Sequence, residues 1–169
     1  MSQSLDQSNF KATFDTYYSA IRNFIYYKTG DMDLAEDLTQ ESFVKLWERR
    51  DEVKFETVKS YLYTIANNLA LNHFKHRKVV LNFQNQSLKD STPASSSPQY
   101  LLELKEFDDR LQQAIAELPD NLRVTFLMNR MDNMKYQDIA DALNMSVKGV
   151  QKRMKKALDE LNEKLKYRL

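Results

Sequence analysis

Two runs of charged side chains carry the chemistry available to this sequence, and they have opposite signs. Between Asp31 and Ser42 stand Asp31, Asp33, Glu36, Asp37 and Glu41 with no base among them. Lys148, Lys152, Arg153, Lys155 and Lys156 fall within nine residues without an acid. A second basic group, Lys75, Arg77 and Lys78 with His73 and His76, closes an earlier segment. Rows of carboxylate suit a basic protein surface, and rows of lysine suit phosphate. Each run taken singly is also what a solvated helix face displays, so the neighbours within each run decide its meaning.

On a helical wheel of about 100° per residue, Leu34, Ala35, Leu38, Ser42 and Leu46 form one side of the acidic segment. Asp37, Gln40, Glu41, Val44 and Glu48 fall opposite, with Trp47 beside them. Valine and tryptophan set among carboxylates have the composition of a protein interface, and the partner it fits is basic. A solvated acidic face with an incidental valine is the competing reading. The late basic run belongs to YQDIADALNMSVKGVQKRMKKAL, residues 136–158. Ile139, Ala140 and Leu143 make the inner face of a short helix. Asn144 and Met145 form a tight connection in which asparagine can take the left-handed conformation. Ser146 is a good N-cap for the next helix. In that helix Val147, Val150, Met154, Leu158 and Leu161 are expected inward, with Lys148, Gln151, Lys152, Lys155 and Lys156 outward. This is a helix-turn-helix pattern suited to the major groove, where lysine meets phosphate and glutamine or lysine reaches base edges. A basic solvated face on a bundle helix is the plainer alternative.

No set of side chains arranged for catalysis stands out. His73 and His76 are three apart, as metal ligands on a helix can be, but no carboxylate or cysteine accompanies them. Inside a Lys/Arg run they read as exposed or phosphate-facing, and neither a metal nor another cofactor is expected. Cysteine is absent, no apolar run approaches the ~20 residues that span a bilayer, and Met1 opens a polar stretch. The expected setting is therefore cytoplasmic, without membrane insertion. With 25 basic and 24 acidic residues the net charge is +1, so the distribution of charge, not its sum, points to partners.

These groups are positioned by helices. Two glycines and three prolines in 169 residues give too little punctuation for a sheet protein, and helical periodicity runs through both halves. Residues 10–27, a second helix capped near Asp31 and Asp33 and running to about Arg50, and a third near 58–78 fill the first half. The stripe Leu104, Phe107, Leu111, Ile115 and Leu118 opens the second half and ends at Pro119. A helix over about 121–131 follows, then two more between Tyr136 and Leu165. The stretch NQSLKDSTPASSSP, residues 85–98, holds five serines, two prolines and a single large apolar residue, Leu88. It cannot bury enough surface to offset its ordering entropy and reads as a linker. The fold expected is all-α, in two small helical domains, 8–80 and 101–167, joined by a flexible linker within 81–100.

AEDLTQESFVKLW (35–47), SYLYTIANNLALNHFKHRK (60–78) and the segment from Leu118 to Leu158 together resemble the extracytoplasmic-function (ECF) sigma factors of bacterial RNA polymerase, in order and in spacing. The resemblance implies a region 2 helical bundle and a region 4 helix-turn-helix. It implies that core polymerase is bound through Asp37, Gln40, Glu41, Val44 and Trp47 on the β′ clamp helices, with region 4 on the β flap. It implies a promoter −10 site at Phe55, Tyr61, Asn68, Asn72, Lys75, Arg77 and Lys78, with the loop 51–60 receiving an unstacked base. Phe55, Tyr61 and Tyr63 are the local stacking candidates, each of which could equally belong to the core. A −35 site is implied at Ser146, Lys148, Gln151, Lys152, Lys155 and Lys156. An anti-sigma factor is a further expected partner. Asn133 and Asn144 stand where many relatives have glycine, a change that asparagine's tolerance of positive φ accommodates. The recognition helix has no outward arginine, so bidentate guanine contacts are not assigned. Two other readings compete: a sigma mimic that titrates an anti-sigma factor, which has no need of basic DNA-facing residues, and a stand-alone helix-turn-helix regulator, which leaves the acidic face without a purpose.

Overall fold

The computed structural model describes residues 5–73, 79 and 109–166. Among them the regular elements are helices throughout. α1 spans Gln7–Thr29, α2 Met32–Glu48 and α3 Val58–His73, with a 3-10 turn at Phe55–Thr57 before α3. A helical stretch over residues 109–116 is α4. α5 spans Asp120–Arg130, α6 Tyr136–Ala142 and α7 Val147–Lys166. Lys75, Arg77 and Lys78, His76, Leu104, Phe107 and the expected linker 81–100 lie outside the described residues.

The first bundle is ordered by its caps and its aromatic side chains. Asp6 accepts the Asn9 N–H at 2.8 Å and starts α1; Asp31 accepts the Leu34 N–H at 3.0 Å and starts α2. Between them Gly30, at φ 68°, donates to the Tyr26 carbonyl and lets the chain reverse. Ile21, Phe24 and Ile25 of α1, Ala35, Leu38 and Leu46 of α2, and Leu62, Tyr63 and Ala66 of α3 form the shared core. Tyr63 is core and not a stacking platform: it is 2% exposed and lies edge-on to Phe24 with ring centroids 5.1 Å apart. Ser42 sits on the inner side, as the wheel requires, and satisfies its hydroxyl on the Leu38 carbonyl at 2.7 Å.

The second bundle is smaller and mainly aliphatic. Leu122, Leu127 and Met128 of α5 pack with Ile139 and Ala140 of α6 and Val150, Met154, Ala157 and Leu161 of α7. Leu158 is not inward as its spacing had implied; it is 42% exposed, and Ala157 takes the buried place. At about 100° per residue the stripe centres between Val150, Met154, Ala157 and Leu161, which carries Leu158 past its edge. Both turns use asparagine in the left-handed region, Asn133 at φ 52° and Asn144 at φ 51°. Ser146 accepts the Gly149 N–H at 3.0 Å, the N-cap expected of it.

The two bundles touch, α5 against α1 and α6 against α3. Arg123, 4% exposed, is the centre of this contact. Its Nε donates to the Tyr27 carbonyl at 2.9 Å, Nη1 to the Leu118 carbonyl at 3.0 Å, and Nη2 to Asp120 Oδ1 at 3.0 Å. Lys28 reaches the other Asp120 oxygen at 2.9 Å. A buried guanidinium is tolerated because its donors are satisfied. Nearby, Asn23 Nδ2 donates to Asp132 Oδ1 at 2.8 Å. Burial raises the Asp132 carboxyl above its usual range, against hydrogen bonds from Asn23 and Tyr27 that lower it.

Candidate functional site

The outward face of α2 is as the wheel drew it. Asp37, Gln40, Glu41 and Glu48 are exposed, and among them Val44 is 56% and Trp47 36% exposed. Trp47 is held edge-on by Phe10 of α1 with centroids 4.9 Å apart, and the Arg50 guanidinium lies 4.5 Å from its ring centroid. Behind the face, Tyr18 donates to Glu36 at 2.7 Å and Arg22 donates to the same carboxylate at 3.2 Å. The Tyr18 hydrogen bond, with Arg22, holds the Glu36 carboxyl below its usual range, although burial opposes them. α2 is thereby pinned to α1 on one side while its acids and apolar side chains meet solvent on the other. Of the acids, Glu41 also pairs with Lys45 at 3.6 Å, one helical turn on.

A second surface is a groove of about 360 Å³ between the end of α2 and α3. Tyr61, Asn68 and Asn72, three of the residues expected at the −10 site, line it together with Lys45, Glu48 and Arg49. Arg49 donates to the Tyr61 hydroxyl at 3.2 Å, which fixes the half-buried tyrosine at the groove wall. Phe55 is also half-buried, at the 3-10 turn before α3, and does not line the groove. Lys45 and Arg49 were not singled out from sequence. Their signal is weak there, since only the packing of α2 on α3 brings them beside Tyr61.

The third surface is the outer side of α7. Lys148, Gln151, Lys152, Lys155 and Lys156 are all exposed, with Arg153 turned half inward to line a different cavity with Lys28, Asn67 and Asp120. The Ser146 hydroxyl is engaged as the N-cap. Gly149 stands where an added Cβ would come within 2.7 Å of Met145 Cε, so the turn closes tightly on the start of the helix. No group of three or more His, Cys, Asp or Glu side chains able to hold a metal occurs among the described residues. No described helix is long and apolar enough to cross a membrane.

An exposed acidic face in one bundle and an exposed basic helix-turn-helix in the other coincide with two family models in chain order. Sigma-70 region 2 matches residues 13–79, and Sigma-70, region 4 matches residues 108–161. The chain is an ECF sigma factor. Among its relatives, the ECF RNA polymerase sigma factor SigW of Bacillus subtilis is 26% identical, covering 95% of this chain and 91% of that protein. SigM of the same organism is 28% identical, covering 79% of this chain and 80% of the relative. The fold also matches solved structures: CnrH in complex with the cytosolic domain of CnrY, with TM-score 0.64, 18% identity and coverage of 96% and 90%; and the sigma factor RpoE in complex with the anti-sigma factor NepR from Bartonella quintana, with TM-score 0.63, 20% identity and coverage of 93% and 96%. As a sigma factor it binds core RNA polymerase and promoter DNA and directs transcription initiation. That family is not an enzyme class.

Proposed function

We propose a division of this work among the three surfaces. The α2 face docks on the clamp helices of the largest polymerase subunit through Asp37, Gln40, Glu41, Val44 and Trp47, carboxylates meeting bases while the valine and tryptophan anchor the centre. α3 and the loop before it take the opened −10 strand: Phe55 and Tyr61 offer aromatic faces, Asn68 and Asn72 read base edges, and Lys75, Arg77 and Lys78 neutralise phosphates. α7 enters the −35 major groove, with Gln151 and Lys152 toward bases, Lys148, Lys155 and Lys156 toward phosphates, and Ser146 at the helix start, while region 4 rests on the β flap. The protein works by binding alone, in the cytoplasm, with no cofactor, and an anti-sigma factor is a further partner, as the anti-sigma factor NepR is for RpoE of Bartonella quintana. The observation that carries this reading is the pairing of the exposed Val44 and Trp47 with acids on α2, beside a row of exposed lysines with Gln151 on the first turns of α7.

The test is open-complex formation by core polymerase with wild-type or variant protein on duplex and pre-melted −10 templates. Asn72→Ala slows opening on duplex DNA and is rescued in part by the bubble, because its partner is an unstacked base. Lys152→Ala is not rescued, because its defect lies in duplex binding. Equal rescue of both variants overturns the division.

A further inference from the structure

A side chain anchors a contact only as well as its own rotamer is held, and Trp47 on the α2 face is held from two sides. Phe10 of α1 meets the indole edge-on with ring centroids 4.9 Å apart, and the Arg50 guanidinium lies 4.5 Å from its centroid. Phe10 is itself braced at 6.3 Å and 85° against the ring of Phe43, which is buried in the core. The Arg50 guanidinium also donates from Nη1 to the Trp47 carbonyl at 2.9 Å. One planar group therefore grips both the ring and the main chain of the tryptophan. An exposed indole at the end of a helix would otherwise exchange rotamers on the nanosecond scale.

The sign of Arg50 makes this grip informative. It is a cation at the edge of a face whose exposed acids, Asp37, Glu41 and Glu48, are assigned to a basic partner. By charge alone Arg50 is a liability there, since it repels what the acids attract. Stacked on the indole, it offsets that repulsion through order: a side chain already immobilised has less freedom to lose when the contact forms. We propose that Arg50 is a positioning residue for core binding, holding Trp47 against Phe10 in the rotamer in which the indole enters the polymerase contact. The proposal rests on the assignment of the α2 face to core docking. It extends the docking machinery to Phe10 of α1 and to the first residue past the C-cap of α2.

Trp47 is the one tryptophan of the chain, so its motion is read directly in the free full-length protein. Arg50→Ala is expected to enlarge the sub-nanosecond phase of the tryptophan anisotropy decay, with helicity by circular dichroism unchanged. In competition with wild type for core polymerase it binds roughly five- to tenfold more weakly. Charge alone gives the opposite sign, because the variant removes a cation from a face that meets a basic partner. Arg50→Lys keeps the cation but lacks the planar fork that holds ring and carbonyl together, and restores part of the loss. In a Trp47→Ala background, Arg50→Ala weakens binding no further, because it acts through the indole. An unchanged anisotropy decay in Arg50→Ala overturns the proposal. Core binding by Arg50→Ala as tight as wild type or tighter, while Trp47→Ala binds weakly, also overturns it and leaves α2 as the docking face. Full-strength binding by Trp47→Ala overturns it as well, and lays the fault on the placing of Trp47 in that face. A loss from Arg50→Ala that recurs undiminished in the Trp47→Ala background does the same to the positioning role alone. If Arg50→Ala loses helicity, Phe10→Leu loosens the grip from the other side with the end of α2 untouched. Weaker core binding by Phe10→Leu that is absent in the Trp47→Ala background supports the proposal, and any other result overturns it.

Discussion

The exposed faces of α2 and α7 are both charged, and they differ in what accompanies the charge. On α2, Val44 and Trp47 stand in solvent among Asp37, Gln40, Glu41 and Glu48. On α7 the exposed residues of the first turns are Lys148, Gln151, Lys152, Lys155 and Lys156, and the first exposed large apolar side chain, Leu158, comes after them. A protein partner gives up water and rewards buried apolar area at the centre of the contact; a nucleic acid presents a charged, hydrated surface that rewards cations and amides. Sign alone therefore separates the partners less well than sign together with apolar content.

The comparison is broken most forcefully at α2. Asp37→Arg with Glu41→Arg turns attraction to a basic helix into repulsion. Both residues are exposed, so the fold is retained while core association falls by ~3 kcal/mol or more. Competition with wild type for core polymerase, with helicity followed by circular dichroism, measures this. A double variant that competes as well as wild type removes α2 from the docking surface.

At α7 the same kind of change gives smaller and more discriminating effects. Lys148→Ala weakens duplex binding across sequences and lowers the slope of log affinity against log salt by about one. Gln151→Ala leaves that slope in place and relaxes preference at one base pair, at roughly 1–3 kcal/mol. Salt titrations on a promoter panel separate the two. Identical behaviour of the variants would mean that no base is read through Gln151.

How much of this could be seen in the sequence depends on whether one helix or two were needed. The α2 face, the Asp31 and Ser146 caps and the left-handed Asn144 are properties of single segments, and periodicity and turn chemistry revealed them. Leu158 was misjudged because a three-and-four spacing admits residues at the edge of a stripe; only the packed neighbours show that the small Ala157 fills the centre. Lys45 and Arg49 reach the α3 groove through tertiary packing. The contact of Arg123 with Tyr27 joins residues 96 apart and leaves no local pattern at all. Tyr63 looked like a stacking candidate because the residue type says nothing of depth, and Phe24 decides it.

The smallest expected effect lies in the turn between α6 and α7. Asn144 holds φ 51°, a region where a side chain with a Cβ costs energy that asparagine reduces through local hydrogen bonding and glycine avoids. Its N–H donates to the Asp141 carbonyl at 3.3 Å, and the Met145 N–H donates to the Ala140 carbonyl at 2.9 Å, so the conformation is fixed by the end of α6 as well as by the residue itself. Asn144→Ala is therefore expected to lower stability by about 1 kcal/mol. Asn144→Gly stays within about 0.5 kcal/mol of wild type, because relief of strain is offset by the greater freedom of glycine in the unfolded chain. Urea denaturation measures both.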